Sequence, residues 1–495
     1  MCGVVGIIGS SEAAQEAFLG LTTLQHRGQD AAGILTHDSD GFHRVKNLGL
    51  VESVFTRENM KTLTGNIAIG HTRYSTVGRG DIMDVQPFLL NYPFGLGMVH
   101  NGNIINCEEL THELKVKLHR HLLTHSDTEI ILNLFAENLA EFAQKNNKLD
   151  FEMICQATDK VFQKISGSYS IVGLVAEQGL WAFRDPHSIR PLILGIRKGK
   201  RFGESDNISY MISSESVSLS FLGYEIVRDI RPGEVIFIDE ELKVYSKVLD
   251  ANAPPRPCMF EWVYFASPES IIDGVPVYGA RIQLGQNLAN IVKKKIESNE
   301  IQADMIVPVP ETSRIAAIRL SEELKIPYRE VLIKNRYIKR TFILDSHEKR
   351  QSAVKLKLSP VRSEIEGKNV LLVDDSIVRG TTSKKIIELV RAAGAKKVYF
   401  LSTCPPIQHP CFYGIDFPSE NELIASHKSL KDIEQELEAD AVIYQDLEGL
   451  KKAISVFQKG GQNPCTACLD GKYPTDITLG KRFAEQRLKD RKKVE

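Results

Sequence analysis

Val370-Leu371-Leu372-Val373-Asp374-Asp375-Ser376-Ile377-Val378-Arg379-Gly380-Thr381-Thr382-Ser383 joins an apolar run to an acidic pair, a short turn and a hydroxyl-rich stretch. The run has the make-up of a buried strand, and the segment 382–393 behind the turn is helix-like. The same alternation lies on either side: 305–309 leads into 314–324, and 398–401 follows the helix. It predicts a parallel α/β sheet with right-handed crossovers, whose ligands sit beyond the carboxyl ends of the strands. Small residues after the acidic pair let backbone N–H groups close around a phosphate, and the helix N-terminus adds its partial positive charge. The two carboxylates suit ribose hydroxyls, gripped directly or through a hydrated Mg²⁺.

Towards the N-terminus this pattern stops at the Pro-rich passage Ala251-Asn252-Ala253-Pro254-Pro255-Arg256-Pro257, which helices and central strands cannot use. Before it, residues 2 to about 240 carry short Gly-punctuated apolar runs such as 4–8 and 67–70, the pattern of sandwiched strands, with helical segments at 127–142 and 151–164. The expected division is therefore 2–240, 258–470 and a charged tail at 471–495. At 495 residues the chain is long enough for two to four domains.

Composition narrows the partners. Apolar residues make up 42% and charged residues 25%, as in a soluble globular protein. Lys+Arg (62) and Asp+Glu (63) nearly cancel, so no overall basic field points to nucleic acid. No run of apolar residues is long enough to cross a bilayer. The start lacks the basic flank of a signal peptide and turns polar at Ser10-Ser11-Glu12. A cytoplasmic location follows, which makes the eight cysteines poor disulfide candidates.

Cys2 would carry a thiol and a free α-amine on one residue once Met1 is trimmed, and an amine with a pKa of ~7.7–8 can take the thiol proton. Alone, the residue would equally suit a buried thiol at a strand start. Three further segments accompany it: Gln25-His26-Arg27-Gly28-Gln29-Asp30-Ala31-Ala32-Gly33, Gly70-His71-Thr72-Arg73-Tyr74-Ser75-Thr76 and His100-Asn101-Gly102-Asn103. Together they resemble the glutaminase domain of the class II, N-terminal nucleophile, glutamine amidotransferases. The resemblance implies an αββα sandwich with Cys2 as nucleophile. It assigns Arg73 to the glutamine α-carboxylate, Asp127 to its ammonium, and the Asn101 amide with the Gly102 N–H to an oxyanion hole.

The stretch 370–383 is similar to the PRPP-binding signature of type I phosphoribosyltransferases, and in this full form to the amidophosphoribosyltransferase family. That implies PRPP binding by Asp374, Asp375, Ser376, Arg379, Gly380, Thr381, Thr382 and Ser383. Mg²⁺ would lie at Thr312, Asp374 and Asp375, with Thr312 on the pyrophosphate-side loop 307–313. The segment 334–343 resembles the family's mobile lid, with Lys334 and Arg336 over the phosphates. Lys339, Asp345 and His347 depart from the lid's usual Gly, Pro and Gln, and Ser267 replaces the Arg of a usual YFARPDS. Tyr74 and Tyr264 are candidates to line a passage for ammonia between the two sites.

Cys465-Thr466-Ala467-Cys468 is a C-x-x-C motif. Four thiolates suit a [4Fe–4S] cluster or tetrahedral zinc equally. By resemblance, Cys258 and Cys411 complete the ligands of a structural [4Fe–4S] cluster, and Cys107, Cys155 and Cys404 are left as buried thiols. Family members of this kind often carry a propeptide. Only Met1 precedes Cys2 here, so no propeptide cleavage is expected. The resemblance further implies glutamine and PRPP as substrates, purine nucleotide inhibitors, a homotetramer, and formation of 5-phosphoribosylamine at the start of purine synthesis. Glucosamine-6-phosphate synthase and asparagine synthetase share the N-terminal domain, but 370–383 contradicts both. A silent, cluster-bearing regulatory relative is the rival of another class.

Overall fold

The computed structural model describes residues 1–74, 81–143, 149–199, 208–334, 358–417, 419–457 and 463–482. The first half is built from two antiparallel sheets. One runs in the order Glu225–Asp229, Ile193–Lys198, Ile208–Ser213, Gly3–Ile8, Ile67–Arg73, Ala31–Asp38, Gly41–Leu48. The other runs Val244–Val248, Glu234–Asp239, Gly179–Arg184, Gly167–Val175, Leu96–Ile104, Phe88–Leu90.

Period-2 alternation decides what each face meets. Val4 and Ile8 point between the sheets, onto Val172, Leu180 and Ile236, while Val5 and Ile7 point outward onto Ala17 and Leu21 of the helix Ala13–Thr23. Trp181 and Phe183 of the second sheet face outward too, packing on Phe135 and Ile154 of the helices Asp127–Ala143 and Phe151–Lys164. The result is a helix–sheet–sheet–helix sandwich. Its sheets touch closely at Gly6, where an added Cβ would lie 2.4 Å from Val172 Cγ1, and at Gly97, where one would lie 2.4 Å from Leu35 Cδ2.

The second half holds a four-stranded parallel sheet in the order Met305–Pro308, Asn369–Asp374, Lys397–Ser402, Ala441–Tyr444. Its strands are apolar on both faces because both are covered. Leu372 and Phe400 meet Ile386 and Val390 of the helix Thr381–Ala392. Leu371 and Leu401 meet Leu288 of the helix Val277–Glu297 and Leu320 of the helix Arg314–Leu324. An α/β domain thus follows the sandwich, as the sequence leads one to expect. Arg336, Lys339, Asp345, His347 and the charged end of the tail, 483–495, lie outside the described residues.

Gly6→Ala is expected to overpack the inter-sheet core at a cost of about 1–3 kcal/mol. Thermal unfolding should show a lowered midpoint, and an unchanged midpoint would contradict this packing.

Candidate active sites

The antiparallel pairing of Gly3 with Thr72 sets Cys2 beside the end of the Ile67–Arg73 strand. Cys2 is half-buried. Its backbone N–H donates to Asn101 Oδ1 at 3.2 Å, its thiol reaches the Tyr74 carbonyl at 3.9 Å, and its own carbonyl accepts from Arg27 Nε at 3.0 Å. The other end of the Asn101 amide, Nδ2, is buried without a hydrogen-bond partner. Next to it Gly102 has φ +159, and a Cβ there would lie 2.0 Å from the Ser168 carbonyl, so the backbone comes closer than any other residue allows.

Arg73 is buried at the end of its strand, with Nη2 3.8 Å from Asp84 Oδ2. Asp127 opens the helix Asp127–Ala143 and accepts from the Ile104 N–H at 3.2 Å. Burial alone would raise its carboxyl; His100 and the N–H groups of Ile104 and Thr128 hold it below the usual carboxylate range. Burial and the charges of Arg73 and His100 push His71 well down, which keeps that imidazole neutral. The structure thus gathers Cys2, Asn101 and Gly102 at one end of two paired sheets, with Arg73 and Asp127 on the strand and helix beside them. Ser75 and Thr76 lie outside the described residues. His71 and His100 lie within the quoted motifs without an assigned role, and Asp84, in the turn Ile82–Asp84, is brought to Arg73 only by folding.

In the second half, Asp374 ends its strand and Asp375 begins the turn towards the helix Thr381–Ala392. Thr312 Oγ1 donates to Asp375 Oδ2, and Ser376 Oγ to Asp375 Oδ1 at 2.7 Å. Burial raises both carboxyls, and for Asp374 the neighbouring Asp375 adds to it. Gly380 takes the left-handed φ of +77 that starts the helix. Thr381 and Thr382 are exposed there and Ser383 is buried. Arg379 is exposed and pairs with Glu422 at 3.3 Å. Lys334 is exposed at the end of the ribbon strand Leu332–Lys334.

All eight cysteines are free thiols. Cys258, Cys465 and Cys468 are buried and Cys411 half-buried, packed with Met259, Trp262 and Tyr413 in one apolar cluster. Cys258 bridges Cys465 through the backbone, and the His409 N–H donates to the Cys468 carbonyl at 3.0 Å. Burial, with the neighbouring Cys411, pushes the Cys258 thiol up to about 11, against the pull of Arg190. Cys468 is pushed well up by burial and by the four other thiols around it. The fourth of these is Cys404, fully buried in the same cluster. Cys107, expected to be buried, is only half so, and its thiol donates to the Ile104 carbonyl at 3.1 Å. Among the described residues no group of three or more His, Cys, Asp or Glu is placed to hold a single metal ion. No described helix is long and apolar enough to cross a membrane.

Such a fold, with these two sites, defines a glutamine amidotransferase joined to a phosphoribosyltransferase. Residues 71–212 match the family model for a glutamine amidotransferase domain, and 280–409 that for a phosphoribosyl transferase domain. The amidophosphoribosyltransferases of Pasteurella multocida and Escherichia coli are each 44% identical, over 97% of this chain and 94% of theirs. That of Methanocaldococcus jannaschii is 41% identical over 97% of this chain and 99% of its own. The glutamine PRPP amidotransferase of B. subtilis, solved with ADP and GMP, aligns with TM-score 0.83 at 37% identity, covering 96% of this chain and 98% of that one. The chain belongs to the amidophosphoribosyltransferase family.

Burial would raise Glu215, but the charges of Arg27 and His26 hold it at about 2. A depressed carboxyl lends stability above its unfolded pKa of ~4.3 and loses it as pH falls through the folded value. Denaturant unfolding should therefore lose about 3 kcal/mol from this group between pH 4.5 and 2. Glu215→Gln should flatten that part of the slope.

Proposed function

We propose that the protein transfers the amide nitrogen of glutamine to C1 of PRPP: glutamine, PRPP and water give 5-phosphoribosylamine, glutamate and pyrophosphate. The observation that carries this reading is the Asn101 amide, which ties the Cys2 nitrogen through Oδ1 while Nδ2 stays buried and unpartnered.

With Met1 removed, the Cys2 α-amine takes the thiol proton and the thiolate attacks the glutamine amide carbon. The oxyanion that forms accepts from Asn101 Nδ2 and the Gly102 N–H, a stabilisation present only in the tetrahedral intermediate. Arg73 grips the substrate α-carboxylate with its planar fork, and the ionised Asp127 accepts from the α-ammonium. The Cys2 α-ammonium returns its proton to the amide nitrogen, and collapse of the intermediate releases ammonia and leaves a thioester, which water hydrolyses to glutamate. At the second site the N–H groups of 376–383 and the hydroxyls of Ser376, Thr381, Thr382 and Ser383 hold the 5-phosphate. Asp374 and Asp375 hold the ribose hydroxyls, and Arg379 and Lys334 add charge, with Arg336 as a further PRPP-binding residue that lies outside the described residues. Ammonia then attacks C1 and pyrophosphate leaves.

Two carboxyls raised by burial, Asp374 also by its neighbour Asp375, are a donor set that a hard divalent cation relieves, so Asp374, Asp375 and Thr312 suit Mg²⁺. Bound there, it would neutralise the charge gathering on the leaving pyrophosphate. Cys258, Cys411, Cys465 and Cys468 share one apolar pocket, and a [4Fe–4S] cluster, whose thiolates bind separate irons, suits them better than a single ion. Its role would be structural. We further propose a glutaminase domain over 2–240, a phosphoribosyltransferase domain over 258–470, a tail from 471, a homotetramer in the cytoplasm and inhibition by purine nucleotides. The B. subtilis structure with ADP and GMP supports the last of these.

The decisive measurement is release of glutamate and pyrophosphate by anaerobically purified protein given glutamine and Mg-PRPP. Matched release needing both substrates is expected. Cys2→Ala should abolish it while leaving ammonia-dependent pyrophosphate release intact. PRPP binding without turnover would overturn the reading. The same preparation should contain iron and acid-labile sulfide, both lost in Cys468→Ser; zinc without sulfide would replace the cluster with a mononuclear site.

A further inference from the structure

We propose that Glu261 is a positioning residue for the glutaminase nucleophile. From the second half of the chain it holds Arg27, Arg27 fixes the carbonyl of Cys2, and the phosphoribosyl half thereby sets how Cys2 meets glutamine. The inference rests on the reading of Cys2 as nucleophile.

Glu261 and Arg27 form a bidentate pair, Nη1 to Oε2 and Nη2 to Oε1, each 3.0 Å, with both side chains buried. The pairing fixes the plane of the guanidinium and therefore the direction of its Nε–H. That third donor points at the Cys2 carbonyl, 3.0 Å away. From Gly3 onward the chain pairs with the strand Ile67–Arg73, and from Val5 with Ile208–Ser213 as well. The carbonyl contact fixes the peptide plane from which the Cys2 Cα, and with it the thiol, projects, while Asn101 Oδ1 holds the α-nitrogen. Glu215 holds Arg27 through Nη1 alone, at 2.5 Å, and cannot by itself fix the plane.

Glu261 is well placed to report on the other site. It opens the helical segment Glu261–Phe265, whose carbonyls are gripped by the buried Arg281, Nε on Trp262 at 2.9 Å and Nη2 on Tyr264 and Ala266 at 3.1 and 2.8 Å. Arg281 in turn acts electrostatically on Asp375 of the PRPP site. A chain of contacts therefore runs Arg281, the carbonyls of 262–266, Glu261, Arg27, Cys2, and Arg281 reaches Asp375 only through its charge. Contiguity alone does not establish coupling; a differential effect on the two half-reactions does.

The test uses the full-length, cluster-loaded enzyme. Glu261→Gln and Glu261→Asp are compared with wild type in three assays: glutamine-dependent turnover, ammonia-dependent turnover, and Cys2 alkylation by an electrophilic glutamine analogue with and without Mg-PRPP. Misplacing a reacting group by an ångström costs on the order of 10²-fold, so a smaller tilt at Cys2 should cost about tenfold in glutamine-dependent kcat/KM. The loss should fall mainly on kcat, ammonia-dependent turnover should be unchanged, PRPP should no longer accelerate alkylation, and Glu261→Asp should recover part of the rate. Equal loss of both turnovers, or an undiminished glutamine reaction, overturns the proposal. Should Glu261→Gln fail to fold, Arg27→Lys carries the same expectation, since it keeps the charge but lacks the Nε–H. If wild type itself shows no turnover with either nitrogen source, it is the enzymatic reading that falls.

Discussion

Arg27 carries a permanent charge into the interior, with only 1% of its surface exposed. Burying a guanidinium is costly unless each donor finds an acceptor. Here those acceptors come from three distant stretches: the Cys2 carbonyl, Glu215 and Glu261. Arg190 adds a second buried cation, its Nη1 3.7 Å from Glu261, so two arginines face two carboxylates in one sealed seam. Removing one partner from such a set costs about 3–5 kcal/mol, because the remaining charges lose compensation without regaining water. The seam can close in only one arrangement, and that arrangement brings the N-terminus against the segment 258–266.

The rest of the junction follows from it. The strand carrying Asn101 and Gly102 extends to Asn103, whose side-chain N–H donates to the Phe412 carbonyl at 2.8 Å. The Tyr413 carbonyl accepts from Ser168 Oγ at 2.9 Å and from Arg190 Nε at 2.8 Å. Gly414 packs so tightly on Gly102 that a Cβ would lie 3.1 Å from the Gly102 carbonyl. The loop bearing Cys411 is therefore fastened to the strand bearing Asn101 and Gly102.

How far this was legible depends on the range of the interaction. The helices at 127 and 151 are local patterns, and the buried parallel strands are apolar runs bounded by turns, so both could be read directly. The fourth strand, Ala441–Tyr444, is too short to show a period. The helix Val277–Glu297 was passed over: it follows Pro276 directly and mixes apolar with basic residues, so no cap announces it. At the sites, residues carrying a family motif could be placed, but their partners could not. Asp84 beside Arg73, His100 beside Asp127 and Glu261 beside Arg27 are set by folding, and nothing in local spacing records them. Tyr264, read as lining the ammonia passage, is 40% exposed.

Ser267 shows how the seam tolerates change. Its backbone N–H donates to Glu215 Oε2 at 2.8 Å, while its hydroxyl turns away to Glu269. Ser270 supplies a second donor to the same Glu215 oxygen, at 2.7 Å, through its side chain. What the seam takes from position 267 is thus a main-chain donor that any residue but proline provides. Serine in place of a long cation leaves the balance of two arginines against two carboxylates intact. The oxygens of Glu215 already serve Arg27, His26, Ser267 and Ser270. The buried charges, more than the side chain at 267, decide whether the two halves stay in register.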